Sequence, residues 1–189
     1  MSEITAAIVS HGRKEQLFNM VWQLEHQIVP FKEIKIYVSG YDLKELEELA
    51  LKYKITDCRD SKDWGHEKRS TAINECITPY ILCVNDDDIY PYHFTEAITK
   101  AMEKDPGAQI YATDWRTQKE ADANYYGYHI ARPQVNHITS GCMVLDADFV
   151  RKFQCYKARD YGADGKLAEE IITMGGRFVR VPYTAFFHY

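Results

Sequence analysis

No stretch of the sequence approaches the roughly 18 consecutive apolar residues of a membrane span, which argues against an integral membrane protein. No CxxC spacing occurs, and the five cysteines (Cys58, Cys76, Cys83, Cys142 and Cys155) are odd in number. Neither a disulfide framework nor a zinc knuckle is suggested, and free thiols in a reducing cytoplasm are the simplest reading. The opening Met1-Ser2-Glu3-Ile4-Thr5 lacks the basic region and apolar run of a signal peptide. Internal repeats, low-complexity tracts and interdomain linkers are also missing. Excess positive charge is lacking too: 23 Lys and Arg face 28 Asp and Glu, for a net charge of −5. That argues against a broad basic face for nucleic acid and leaves only a local patch. The 189 residues suit one ordinary domain.

What is present is a buried-strand signature that runs straight into acid. Tyr80, Ile81, Leu82, Cys83 and Val84 suit the middle of a sheet, and Asn85 is followed by Asp86, Asp87 and Asp88. Like charges this close repel unless a cation neutralises them. Carboxylates at the carboxyl end of a strand suit Mg²⁺ or Mn²⁺, which favour hard oxygen ligands and share their shell with substrate phosphates. The plain alternative is a solvated acidic turn before a helix starting near Pro91. Fourteen tyrosines, nine of them after Tyr90, offer flat apolar faces with polar tips, for sugar or base stacking or for ordinary packing.

Hydrophobic periodicity predicts strands over Ala6–Ser10, Ile34–Val38, near Ile55, Tyr80–Val84 and Gln109–Thr113. Between them fall helical patterns: Leu17, Met20, Val21 and Leu24; Leu43, Leu46, Leu49 and Tyr53 behind a capping Asp42; Glu67 to Cys76; and Phe94, Ile98, Ala101 and Met102. Alternating strand and helix implies a mostly parallel sheet with helices on both faces. Ligands of such sheets bind outside the carboxyl ends of the strands. Those ends are Ser10-His11-Gly12-Arg13, Ser39-Gly40-Tyr41-Asp42 and the Asp86–Asp88 cluster. Residues 116–137 are polar, tyrosine-rich and aperiodic, as a lid or binding loop is. A strand over Ser140–Leu145, a helix over Asp146–Phe153, a loop over Gln154–Gly165, a helix over Lys166–Met174 and a strand over Arg177–Val181 complete the reading.

Several spacings coincide with a known pattern. Lys68-Arg69-Ser70-Thr71-Ala72-Ile73-Asn74 followed by the acidic strand end resembles the donor half of GT-A glycosyltransferases, and more narrowly the large inverting family that uses nucleotide-diphospho sugars. Asp164, Leu167, Gly175, Arg177 to Pro182 and His188 fall at the spacings of that family's acceptor half. Ala7 to Arg13 resembles its first strand and nucleotide-contact turn. The resemblance spans roughly residues 5–188 and implies a single α/β domain over 1–189 with the GT-A, Rossmann-like fold. Its donor half would be 1–115 and its acceptor half 116–189. The chain departs from the family at Ala163-Asp164, where one of two acids is missing, and at Arg180, where an apolar residue is usual. Ser39-Gly40-Tyr41-Asp42 stands where a base-reading Asp often lies.

The resemblance implies transfer of a sugar from a nucleotide-diphospho-sugar to an acceptor hydroxyl, with inversion. Asp164 is the candidate general base and Asp160 the runner-up. Ser10, His11, Gly12, Arg13, Asp42, Arg69 and Asp86 are the donor-binding candidates. Asp86, Asp87, Asp88 and His188 are the candidate ligands of Mn²⁺ or Mg²⁺, with the register of the acidic cluster open. Each has a plain alternative: Asp164 as a helix cap, His188 as a frayed tail, Arg69 as a partner of Glu67 or Glu75, Trp64 as a core residue rather than a stacking surface. His66 and His137 either face the cleft or are structural. The acceptor is a glycan, a small molecule or a hydroxymethylated DNA base. The last is kept open by Arg116, Lys119, Arg132, Arg151, Lys152, Lys157 and Arg159. A nucleotidyltransferase acting on a sugar phosphate and a non-catalytic nucleotide-sugar-binding module are the competing classes.

Overall fold

The computed structural model describes residues 2–58, 63–117, 127–154, 157–158 and 160–188. The predicted cysteine at 155 and the basic residues at 119 and 159 lie outside the described residues. The strands are β1 (Ile4–His11), β2 (Glu33–Ser39), β3 (Lys54–Asp57), β4 (Tyr80–Asn85), β5 (Ile110–Thr117), β6 (Gly127–His129), β7 (Met143–Asp146) and β8 (Phe178–His188). The helices are α1 (Lys14–Glu25), α2 (Glu47–Ala50), α3 (His66–Glu75), α4 (Phe94–Lys104), α5 (Ala147–Lys152) and α6 (Ala163–Thr173). The strands form one sheet in the order β3-β2-β1-β4-β7-β5-β6, with β8 also on β5. β3, β2, β1 and β4 run parallel. β7 enters antiparallel between β4 and β5, and β8 pairs parallel with β5.

The apolar runs decide this order. Ile4, Ala6, Ala7 and Ile8 of β1 and Ile81, Leu82 and Val84 of β4 are fully buried. Strands buried on both faces belong at the centre of a parallel sheet. One core cluster joins them to Leu17 and Met20 of α1, Ile98 of α4, Val144 of β7 and Leu167 of α6. Cys58, Cys76, Cys83 and Cys142 are free thiols. Among the described residues no helix is long and apolar enough to cross a membrane.

Several predicted boundaries move. The last strand extends to His188, well past Val181, because Pro182 and Tyr183 fall in a register shift between the Thr113–Val181 and Asp114–Thr184 pairs and the ladder resumes beyond. A proline that cannot donate is tolerated at such an irregularity. The helix predicted from Lys166 begins at Ala163, with Gly165 inside it. A side chain there would lie 2.3 Å from the Val135 Cα, so Gly165 allows close packing and does not break the helix. Ser140–Leu145 splits into a 3-10 turn over Ser140–Cys142 and then β7. The segment after Asp42 likewise starts as a 3-10 turn, Leu43–Leu46, before α2.

Candidate functional site

The carboxyl ends of β1, β2 and β4 meet through polar side chains. Arg13 N–H donates to the Tyr41 hydroxyl at 2.8 Å, and that hydroxyl contacts Ser10 Oγ. Ser10 in turn donates to Asp86 Oδ2 at 2.5 Å. With Ser10 committed as donor, the Tyr41 proton must point to Ser10, so the chain of donors runs one way and ends on a carboxylate. The Arg13 guanidinium forks over the acidic cluster, pairing with Asp86 and, at 2.6 Å, with Asp87 Oδ2. Part of the repulsion expected among the aspartates is therefore neutralised by the protein itself. Burial still pushes the Asp86 carboxyl above the usual carboxylate range, against Ser10 and Arg13. His11 stacks over Gly40, whose φ of +72° leaves no room for a side chain, and its Nδ1 lies 3.0 Å from Ser39 Oγ. Gly12, at φ +60°, turns the chain out of β1.

Asp88 has different partners. It is fully buried as a side chain and accepts from Asn85 Nδ2 at 3.1 Å, with His188 Nδ1 2.7 Å from Oδ1. Burial raises its carboxyl as well. His188 is no frayed tail: it is half-buried and paired with Thr117 in the β5–β8 ladder. Arg69 does not pair with Glu67 or Glu75. It is buried, donates to the Trp64 carbonyl at 2.8 Å and bonds the Asn85 side chain. A continuous line thus runs from Trp64 through Arg69 and Asn85 to Asp88 and His188.

The four proposed metal ligands do not form one cluster. Among the described residues no three His, Cys, Asp or Glu side chains are gathered to hold a metal by themselves. Asp86 and Asp87 face Arg13, whereas Asp88 faces His188. A desolvated carboxylate beside an imidazole, with Asp87 adjacent, fits an ion whose shell is completed by substrate phosphates and does not fit a protein-only cage.

On the other side of the sheet end, Asp164 lies in the first turn of α6 and is half-buried. It is not the cap: Gly162 holds that position. Its Oδ2 accepts the Ser140 backbone N–H at 2.9 Å. Two glycines set this contact. Gly165 packs against Val135, and Gly141 lies so close to Phe186 and Tyr90 that a Cβ would approach within 2.5 Å. Tyr90 further fixes the turn by donating to the Gly141 carbonyl at 2.7 Å. The buried Cys142 thiol, pushed far up by burial, feels the charges of both Asp164 and Asp88. The Ser140–Cys142 turn thus touches Asp164 through Ser140 and, through Gly141, packs on Phe186, whose ring stacks with His188. Asp160, by contrast, is exposed, with one oxygen on the Gly162 N–H and the other on Lys166. His66 is buried, and its Nε2 lies 3.0 Å from the Asp160 carbonyl, so Nε2 carries the proton. Burial, then Arg69, hold it below the ordinary histidine range.

Asp42 stands apart: its exposed carboxylate caps the following turn through Lys44 N–H at 3.1 Å. His137 is exposed. Of the two readings of Trp64, stacking surface or core residue, its 68% exposure excludes the second. Three of the basic residues of the second half have partners within the protein. Arg151 donates to the carbonyls of Ile73 and Cys76, at the amino end of β4 and so opposite Asp86. Lys157 pairs with Glu170, and Lys152 lies over Phe153. Sequence reasoning missed Tyr41 as a member of the cluster, along with Ser140 and the Trp115–His129 stack (centroids 4.0 Å apart) beside His188. It also missed the reason for Arg180, which grips the buried Asp114 with Nε and Nη2 at 2.8 and 2.6 Å. None of these pairings has a short-range signal.

A mostly parallel sheet with polar turns at its carboxyl ends and an acidic cluster just past β4 is an α/β architecture whose ligands bind at that edge. No protein-family model and no curated protein matches the sequence. Solved structures do. The chain superimposes on residues 1–349 of S. aureus TarS in complex with UDP with a TM-score of 0.75 at 10% identity, covering 99% of this chain and 60% of that one. The complex of the same protein with UDP-GlcNAc gives 0.72 at 9% identity, covering 99% and 58%. The mannosyltransferase PcManGT from Pyrobaculum calidifontis, in complex with GDP-Man and Mn²⁺, gives 0.68 at 12% identity, covering 98% and 56%. The chain has the GT-A glycosyltransferase fold, and it spans about 60% of the length of TarS 1–349.

Proposed function

We propose that the protein transfers a sugar from a nucleotide-diphospho-sugar to an acceptor hydroxyl, with inversion. The observation that carries this reading is the turn Ser140–Cys142: its first residue is bonded to Asp164, and its Gly141 packs on Phe186, which stacks with His188, the partner of Asp88. A candidate base and a candidate diphosphate site thus flank one short segment. The sugar nucleotides held by two proteins of the same fold support the donor class.

The donor lies over the β1, β2 and β4 ends, within residues 1–115. There the Arg13 guanidinium and the glycine turn at Gly12 take the diphosphate, and Ser10 and Asp86 orient it. Asp88 and His188, with Asp87 beside them, would hold a divalent cation, Mn²⁺ or Mg²⁺, which offsets the charge gathering on the departing diphosphate. Residues 116–189 supply the acceptor side. Asp164, oriented by the Ser140 N–H, takes the acceptor hydroxyl proton. The acceptor oxygen forms a bond to the anomeric carbon as the bond to the diphosphate oxygen breaks, and the electron pair leaves with the diphosphate. Attack opposite the leaving group inverts the centre without a covalent protein intermediate. Asp160 is a poorer base, because Lys166 holds its carboxyl below the usual range. The free thiols accord with a reducing, cytoplasmic setting.

Thermal-shift measurements with UDP, GDP and their sugars, with and without Mn²⁺, test the donor site. Saturation at 100 times Kd stabilises a protein by about 2.7 kcal/mol. A protein that no nucleotide stabilises in the presence of Mn²⁺ would refute the reading.

A further inference from the structure

Trp64 is difficult to explain as a packing residue. Its ring is 68% exposed, and its backbone is left-handed with φ +58°, a conformation that bulky side chains rarely adopt. Strain of this kind persists only where the surroundings impose it, and it gathers at ligand sites. Here the restraint is visible. Arg69 holds the Trp64 carbonyl, and Gly65 follows in the same left-handed region, where Val9 leaves no room for a side chain. The result is an indole held outside the core beside the Arg69–Asn85 contact at the carboxyl end of β4. A second aromatic residue meets it there. Tyr161, 66% exposed, stands edge-to-face to Trp64 with ring centroids 6.0 Å apart. The two come from opposite sides of the site: Trp64 opens α3, while Tyr161 lies three residues before Asp164. His66 ties the sides together through the Asp160 carbonyl.

We propose that Trp64 and Tyr161 form a stacking platform for a neutral saccharide, the acceptor, whose hydroxyl is delivered to Asp164. This rests on the transferase reading and narrows it. Flat aromatic faces with a polar tip suit the apolar face of a sugar ring and its hydroxyl rim. The charge around the platform favours a neutral ligand. Among the described residues, Asp63, Asp160 and Asp164 stand against Lys166 and Arg69, and Lys166 is already paired with Asp160. Both of these cations are engaged by the protein itself, whereas a phosphodiester chain binds through phosphates that cations neutralise. A nucleobase is the other planar ligand an aromatic pair accepts. The nucleotide turns, however, are at Ser10–Arg13 and Tyr41, and Tyr161 belongs to the loop that leads into Asp164.

The test follows the three indole N–H resonances of the protein in amide-detected NMR, with the Trp64 signal assigned by its loss in Trp64→Phe. Cellotetraose, maltotetraose and chitotetraose are titrated separately, and UDP and GDP with Mn²⁺ are titrated in parallel. At least one tetrasaccharide is expected to move the Trp64 signal. Its affinity should fall tenfold or more in Trp64→Ala and in Tyr161→Ala, and change less than threefold in Trp64→Phe, read from backbone amides. Nucleotide affinity should stay within twofold in all three variants. If UDP or GDP binds the wild type and no tetrasaccharide moves Trp64, the platform is wrong and the transferase reading stands. If Trp64→Ala weakens the nucleotide instead, the ring serves the base and the proposal falls. Tetrasaccharide binding that depends on Trp64, with no nucleotide binding, upholds the platform and sinks the transferase reading.

Discussion

The two sides of the sheet end handle their carboxylates in opposite ways. On the donor side Asp86 and Asp88 are buried and already matched to Arg13 and His188. On the acceptor side Asp164 is half-buried and accepts the Ser140 backbone N–H. The first arrangement is that of a site built to hold charge, with counter-charges in place. The second suits a group that must accept a proton, because it is oriented by a backbone N–H and remains partly open to solvent. Burial costs an ionised carboxylate free energy, and counter-ions recover only part of it. The donor side is thus the place where an added cation or ligand gains most.

Exchanging the two carboxylate types should separate binding from chemistry. Asp164→Asn is expected to lower transfer by about 10²–10⁴-fold with nucleotide-sugar affinity intact, measured by steady-state assay and calorimetry. Asp88→Asn should instead abolish the Mn²⁺-dependent part of donor affinity. Equal loss of donor binding in both variants would erase the distinction. The next largest effect is on stability. Arg180→Ala leaves the buried Asp114 with only Tyr128 and the Ala131 N–H as partners. Loss of one partner of a buried pair costs on the order of 3 kcal/mol, which for a chain of this size is a Tm drop of roughly 6–12 °C. Because burial of Asp114 is more than reversed by Arg180 and Tyr128, its folded carboxyl lies below the usual range. The stability it contributes is therefore present above about pH 4 and lost as the pH falls below it.

A smaller effect should follow from Ser10→Ala, which removes the hydroxyl between Tyr41 and Asp86. A loss of about 1 kcal/mol in urea unfolding is expected, with weaker donor binding and unaltered acceptor affinity. The smallest concerns the joint between the two sides. His66 is depressed by burial and by Arg69, so the unfolded chain binds the proton more readily. Stability should decline as the pH drops below about 6.5, and His66→Gln should flatten that part of the profile. A stability that rises on acidification through this range would contradict the neutral, Asp160-bonded imidazole.

Legibility in the sequence divides along the same line. The strand–helix alternation, the buried runs of β1 and β4 and the turns that follow β1, β2 and β4 were readable, because parallel topology sends those turns to one edge. The Ser10–Asp86 and Arg13–Asp87 contacts follow from that placement. Asp164, Asp88 and His188 were singled out through spacing, but nothing local says that Ser140 orients one or that the others adjoin. Trp64 stayed open between stacking and packing because an aromatic residue near a helix start is ordinarily core, and its left-handed backbone is invisible in the letters. Arg180 looked like a flaw in an apolar strand until Asp114 appeared beside it in the sheet.

Amino-acid order alone determined the α/β alternation, the central strands and the acid at the end of β4, since periodicity and burial are properties of short windows. Only the tertiary structure decided which charges are matched, which backbone N–H orients Asp164 and which aromatics stand in solvent. Those depend on side chains brought together across 24 to 100 residues, where chain entropy erases any local trace and packing alone sets the neighbours.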